Sequence, residues 1–346
     1  MKKTLFAIAA MVAMVACNND YVVKETAQEA IGFDNMFVDN STRSKETPGY
    51  SSTNLFEDFA VYGFVEGAPL FNGVEVGKDV TNADLTSGWR YNGTQYWIAG
   101  ANYDFYAVAP FDGGWSVKAG TATDAGAVIS FTNENGTQDL LYSGIVERQG
   151  AGSGNVAVAF TFKHILSKVK FSFKNGYNAS AATICVRDIQ ITNADKTAEA
   201  TLTTGAAWDA HGGVAAIAFG NATTDEAYAT DADDDNFANY DYAYDTTVES
   251  YYERFVIPAN KEWEISFKVD LLVSGAVIKT YEHTAKLNAA FEPGASYDIA
   301  ATITAANIDP NNEQEPIEFT ATMTDWSEAN NENATVDTIQ QGTENN

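Results

Sequence analysis

Apolar side chains in this chain return at every second residue, and that period confines it to β structure. Val156, Val158, Phe160 and Phe162 alternate with Ala157, Ala159 and Thr161, and Val169, Phe171 and Phe173 with Lys168, Lys170, Ser172 and Lys174. Trp263, Ile265, Phe267, Val269 and Leu271 repeat the pattern, as do Tyr297, Ile299, Ala301 and Ile303, and Ile317, Phe319, Ala321 and Met323. Successive side chains of a strand point to opposite faces, so each run predicts a strand with one buried and one wet face, the mark of antiparallel sheets. Asn92-Gly93, Asp112-Gly113-Gly114, Asn135-Gly136 and Asn175-Gly176 punctuate the runs with residues suited to tight turns. No long stretch repeats at 3.6 residues, so the expected fold class is all-β, built from antiparallel sandwiches.

The N-terminus predicts export. Lys2 and Lys3 form a positive start, Leu5 to Ala13 an apolar stretch, and Met14-Val15-Ala16-Cys17 ends it with small residues before a cysteine. A cysteine there, in place of an Ala-x-Ala end, reads as the lipobox of a bacterial lipoprotein: residues 1–16 are removed and Cys17 is the lipid attachment site. The competing readings are an ordinary secretory signal with a coincidental cysteine, or a membrane helix. The helix fails on length, because a span needs about 20 apolar residues. About 330 residues then remain of the 346, enough for two domains of roughly 150 each.

Charge narrows the partners. With 20 Lys+Arg against 47 Asp+Glu the formal net charge is −27, which repels phosphate backbones and anionic lipid and argues against nucleic-acid binding. With Cys17 committed to lipid, Cys185 has no partner for an internal disulfide, and within Thr183-Ile184-Cys185-Val186 it reads as a small core residue. Residues 18–29 are polar and read as a tether, and Gln149 to Asn155 as an interdomain linker or a wide hairpin loop.

Candidate chemistry is sparse. His164, His211 and His283 lie in unrelated segments without zinc-ligand spacing. Gly150-Ala151-Gly152-Ser153-Gly154 lacks the lysine of a phosphate loop and precedes a strand, so it reads as a plain loop. Asp231, Asp233 and Asp235 match the first ligand positions of a calcium loop, but Asn236 replaces its glycine and Tyr242 its bidentate glutamate, leaving a solvated acidic loop. The residues therefore predict no enzyme, no catalytic group, no metal site and no cofactor.

Several stretches together resemble the fimbrillin, or Mfa-like, family of type V pilins. They are Ile31-Gly32-Phe33 followed by Ser41-Thr42-Arg43-Ser44; Tyr103 to Pro110; Asp139 to Ser143; Phe160 to Phe171; Phe291 to Tyr297; and the terminal run from Ile317 to Trp326. The resemblance implies two transthyretin-like antiparallel β-sandwich domains in tandem and a structural or tip role in a surface fimbria. In its light His164 becomes a packing or hydrogen-bonding residue. The expected plan is a signal at 1–16, a lipidated tether and removable first strand at 17–43, sandwiches at 44–158 and 159–326, and a flexible polar tail at 327–346.

The resemblance also implies maturation by an arginine-specific protease that cuts between Arg43 and Ser44 and removes lipid and first strand together. Residues 30–38 carry that strand, with Ile31, Phe33, Met36, Phe37 and Val38 as its core candidates. A vacated slot filled by a neighbour's strand would join pilin subunits head to tail. Ile317 to Met323 has a donor's alternation, but Trp326 marks that run as core. The expected location is the outer membrane through lipid on Cys17, surface-exposed, then the fimbrium, with host or bacterial surface ligands as further partners. The alternative is a monomeric surface lipoprotein that binds glycan or host protein, for which Tyr240, Tyr242, Tyr244, Tyr251 and Tyr252 in a polar, acidic region are the contact candidates. A glycoside hydrolase has the least support, since carboxylate spacing in sequence locates no catalytic pair.

Overall fold

The computed structural model describes residues 29–34, 36–38, 56–82, 85, 88–176, 182–220, 222–223, 247–250, 252–273, 276–308, 316–325 and 338–339. Cys17, Arg43, Ser44, the acidic run 231–236, Tyr240, Tyr242, Tyr244, Tyr251 and Trp326 lie outside the described residues, as does the side chain of Phe37.

No described residue is helical, and the chain is all-β. The first ten strands are β1 (Phe37–Val38), β2 (Asp58–Val65), β3 (Ala68–Gly77), β4 (Arg90–Tyr91), β5 (Asn102–Ala109), β6 (Trp115–Val117), β7 (Val128–Thr132), β8 (Leu141–Tyr142), β9 (Val146–Gln149) and β10 (Thr161–His164). They are followed by β11 (Ser167–Asn175), β12 (Ala182–Leu202), β13 (Ala206–Gly220), β14 (Ala222–Thr223), β15 (Thr247–Ser250) and β16 (Arg254–Val256). The last are β17 (Asn260–Val273), β18 (Ala276–Ala290), β19 (Ala295–Ile303), β20 (Phe319–Asp325) and β21 (Thr338–Ile339).

Three sheets result. The first runs β1-β10-β8-β5-β2-β3-β4 with β9 beside β5; the second runs β14-β15-β11-β19-β20-β21 with β16 beside β11; the third runs β18-β17-β12-β7-β6 with β13 beside β12. The pairing is antiparallel except for β1 with β10 and β11 with β19.

Three apolar cores follow from which faces these sheets bury. The C-terminal core unites Val169, Phe171 and Phe173 of β11 with Trp263 to Leu271 of β17, Tyr297 to Ile303 of β19, and Ile317 and Phe319. These are the residues whose period-two spacing predicted strands. The Ile317–Met323 run is therefore a core strand of its own subunit, and β21 lies against it through Ala321↔Ile339 and Thr322↔Thr338. Cys185 is fully buried, as its apolar neighbours predicted. Val156 departs from the pattern: it is 70% exposed, while Val158, Phe160 and Phe162 are buried.

The other two cores share one sheet. Phe59 and Val61 of β2 and Tyr103 and Phe105 of β5 face one side; Tyr62, Phe64, Tyr106 and Val108 face the other. The second side packs on Ile129 and Phe131 of β7 and on Ala198, Ala200 and Leu202 of β12. β12 thus serves two cores. Its first half pairs with β17, with a register shift between Arg187 and Gln190, and its last residues pair with β7. The third sheet therefore joins strands from both sides of residue 158.

Candidate functional site: the strand that closes the first sheet

Residues 29–38 lie between the two ends of the first sheet. On one side Phe33 bridges Val158 in parallel, and Phe37 and Val38 pair in parallel with Thr161 and Phe162. On the other side Ala30 bridges Tyr96 and Phe33 bridges Trp89, both antiparallel. The backbone bonds are Ile31 N–H to Gln95 O at 2.8 Å, Trp97 N–H to Glu29 O at 3.0 Å, Asp34 N–H to Val158 O at 3.1 Å and Val158 N–H to Gly32 O at 2.8 Å. The Tyr91 hydroxyl donates to Ile31 O at 2.8 Å. The segment acts as the closing stave of a curled sheet, and closure removes the edges that a sheet otherwise exposes.

Alternation gives each side chain its place. Ile31 and Phe33 point inward, then the inward face shifts to Met36 and Val38; all four are buried. Phe37 follows Phe33 by four positions, whereas their partners Val158 and Thr161 lie three positions apart. That one-residue difference in register moves the buried face from odd to even positions. Phe33 enters an aromatic cage: it stacks on Phe160 at 5.9 Å and meets Phe71, Tyr91 and Phe105 edge-on at 5.5, 5.6 and 6.2 Å. The strand is anchored ahead of this cage by Glu29, whose carboxylate accepts hydrogen bonds from Gly154 N–H, Asn155 N–H and the Asn155 side-chain amide, each at 2.6 Å. These bonds, those from Gly154 and Asn155 N–H foremost, hold the Glu29 carboxyl below the usual carboxylate range.

Glu29 closes the stretch read from sequence as a polar tether, because a lone carboxylate before an apolar run carries no sign of a partner 125 residues away. The remaining candidates fall into structural roles. His164 Nδ1 lies 2.9 Å from the Asp139 carboxylate, both buried, in the packing and hydrogen-bonding role expected of it. His211 lies 2.9 Å from Asp195. His283 stacks on Phe267 at 5.3 Å, and burial pushes its imidazole down from its ordinary value. Tyr252 carries the Arg254 guanidinium over its ring at 4.1 Å. On the opposite side of the β5–β9 pair, Asp104, Asp124, Glu147, Thr203 and Thr204 line an open cleft of about 620 Å³. Burial, then Glu147 and Asp124, raise the Asp104 carboxyl. Among the described residues no group of three or more His, Cys, Asp or Glu is placed to hold a metal ion.

The fimbrillin-like family matches residues 42–326, most of the chain. The chain belongs to the fimbrillin-like family. That family consists of fimbrial structural proteins, so the role is that of a fimbrial subunit at the cell surface. Among solved structures, a fimbrial protein from Bacteroides vulgatus ATCC 8482 is similar at 15% identity and a TM-score of 0.55, over 86% of this chain and 99% of that one. That likeness concerns the fold. A candidate cell adhesion protein from Bacteroides uniformis ATCC 8492 aligns at 17% identity and a TM-score of 0.47, over 87% and 98% of the two chains. No curated protein matches this chain in sequence.

Proposed function

We propose that this fimbrillin-like subunit is exported as a lipoprotein through Cys17, matured by an arginine-specific cut after Arg43, and assembled by strand exchange into the slot that residues 29–38 leave behind. The observation that carries the reading is the closing stave. The first of the described segments is buried between Val158–Phe162 and Trp89–Trp97, and residues 39–55, which contain Arg43, join it to the strands that follow.

The energetics fit a removable strand. Ile31, Phe33, Met36 and Val38 are each at most 8% exposed, and burying such side chains is worth about 1.5–3 kcal/mol apiece, or roughly 6–12 kcal/mol together before entropy. That rivals the ~5–15 kcal/mol net stability of a domain. Departure of the strand leaves an apolar slot flanked by unpaired backbone groups, and a strand from the next subunit would satisfy both. Donor and slot are different surfaces, so the contact propagates as a filament and does not close on itself.

The test is limited proteolysis of the folded protein with an arginine-specific protease. Cleavage should occur after Arg43 in preference to Arg187, which lies within β12 and is bonded to Asp270 at 2.6 Å. The cut product should lose residues 29–38 and then polymerise or capture donor peptides, and Arg43→Ala should block both without changing the fold. A cut chain that stays a soluble monomer of unchanged stability, with no affinity for subunits, would overturn the reading in favour of a monomeric binding lipoprotein.

A further inference from the structure

The turn from Gly150 to Asn155 is built by its own contacts. At its base Gly150 N–H donates to Ala101 O at 2.9 Å, and Gly100 N–H donates to Gly150 O at 2.7 Å. A Cβ on Gly150 would lie 2.1 Å from Ile98 O, so the approach requires glycine. Within the turn, Ala151 N–H donates to the Asn155 side-chain oxygen at 2.7 Å, and the Asn155 amide donates back to Ala151 O at 3.1 Å. Gly154 adopts φ +74°. None of these contacts involves Glu29, yet the turn leaves three N–H groups converging on one spot.

Those three donors match a carboxylate. One oxygen of Glu29 takes Gly154 N–H, and the other takes both N–H groups of Asn155. Backbone N–H groups converging in this way form a nest for anions, and charge-assisted bonds of this length are the stronger kind. An uncharged amide fits less well, because its own NH₂ would face donors.

The location gives this nest a purpose that the apolar slot cannot serve alone. A strand shifted by one residue turns every side chain to the wrong face, but a shift of two restores the alternation. Apolar pockets at period two therefore discriminate poorly between registers two residues apart. A fixed charge receptor four residues ahead of the Phe33 cage, about 13 Å along an extended chain, does discriminate.

We infer that the Gly150–Asn155 turn is a carboxylate receptor that sets the register of whatever strand fills the slot. A strand arriving from a neighbouring subunit should carry Asp or Glu four residues ahead of the aromatic side chain that enters the Phe33 cage. The inference rests on the strand-exchange reading for the incoming strand, and on the intact chain for the receptor itself.

The test has two arms. In the intact full-length chain, hydrogen exchange at residues 31–34 reports how often the seated strand opens. Glu29→Gln should raise that opening about three- to tenfold, the scale of a lost charge-assisted contact at a half-exposed site. Asn155→Asp keeps an oxygen for Ala151 N–H but sets a second carboxylate against Glu29; in that background Glu29→Gln should reduce opening. The same direction of change in both backgrounds overturns the receptor. In the second arm, chain cut after Arg43 is offered synthetic peptides of residues 27–40. The native peptide should be captured about three- to tenfold more tightly than its Glu29→Gln form. Equal capture of both overturns the register rule while leaving strand exchange intact. Capture of neither overturns strand exchange, and the claim about an incoming strand with it.

Discussion

Replacing Phe33 by Ala in the uncut protein measures how firmly the stave is seated. The ring is 2% exposed and contacts four aromatic rings at 5.5–6.2 Å. Removing its apolar surface from the core costs about 2–3 kcal/mol. Four ring pairs at the low end of their usual worth, about 0.5 kcal/mol each, add about 2. The total of about 4–5 kcal/mol agrees with the ~3–5 kcal/mol typical of Phe→Ala in a rigid core. It should appear as a lower urea midpoint at unchanged slope and as a melting temperature lower by roughly 8–20 °C. Val156→Ala, at a site 70% exposed, is the control and should stay within about 0.5 kcal/mol of wild type. In protein cut after Arg43 and freed of its strand, the Phe33 substitution should have no effect, because the residue has left. A loss below about 1 kcal/mol in the uncut chain would show that the cage does not close on this strand, and the stave argument would fall.

Gly63→Ala should destabilise by about 1–3 kcal/mol, read by urea unfolding, because the added Cβ would meet the rings of Phe71 and Phe105 at 2.7–2.9 Å behind the slot. Asp104→Asn should stabilise at neutral pH by a few tenths of a kcal/mol, screened as an open cleft is. Burial, Glu147 and Asp124 raise the Asp104 carboxyl, so its ionised form opposes folding above that raised pKa. The advantage of the variant should vanish as pH falls through it, as urea titrations across the acid range would show.

Where one face of a strand meets a core and the other is wet or lined by long polar stems, the sequence period is visible. Trp263 to Leu271 and Tyr297 to Ile303 are of this kind. β2 and β5 are not, because Phe59 and Tyr62, or Phe105 and Tyr106, are buried on opposite faces of a sheet packed on both sides. A strand buried on both faces reads as a continuous apolar run without alternation. The end of β12 was hidden for another reason: Ala198 and Ala200 are fully buried yet too small to mark a core face. At the candidate site Ile31, Phe33, Met36 and Val38 were legible as apolar. Their parallel seat against residues 158–162 was not, because pairing across more than a hundred residues depends on the whole topology. The same holds for Glu29 and its nest, since the Gly150–Asn155 stretch resembles any glycine-rich loop until its N–H groups are placed in space.

The proposed loss of a strand requires that the rest of the sheet keep its shape, and the arrangement of the cores provides for that. Ile31, Phe33, Met36 and Val38 belong to the core on one side of the β2–β5–β8 sheet. The core on its other side contains none of them; there Tyr62, Tyr106 and Tyr142 pack on Ile129, Phe131, Ala200 and Leu202. Tyr62 and Tyr106 stack at 4.9 Å, and the Tyr142 hydroxyl donates to Thr203 O at 2.9 Å. The sheet that lines the slot is therefore held from behind by β7 and β12, and β12 is in turn paired with β17 against the C-terminal core. Removing the stave opens one core and leaves two closed. A single core on that sheet would collapse or unfold once its fourth wall left, and no defined slot would remain to receive a partner. If the stave leaves as proposed, backing by a second core would leave a metastable subunit able to accept another strand.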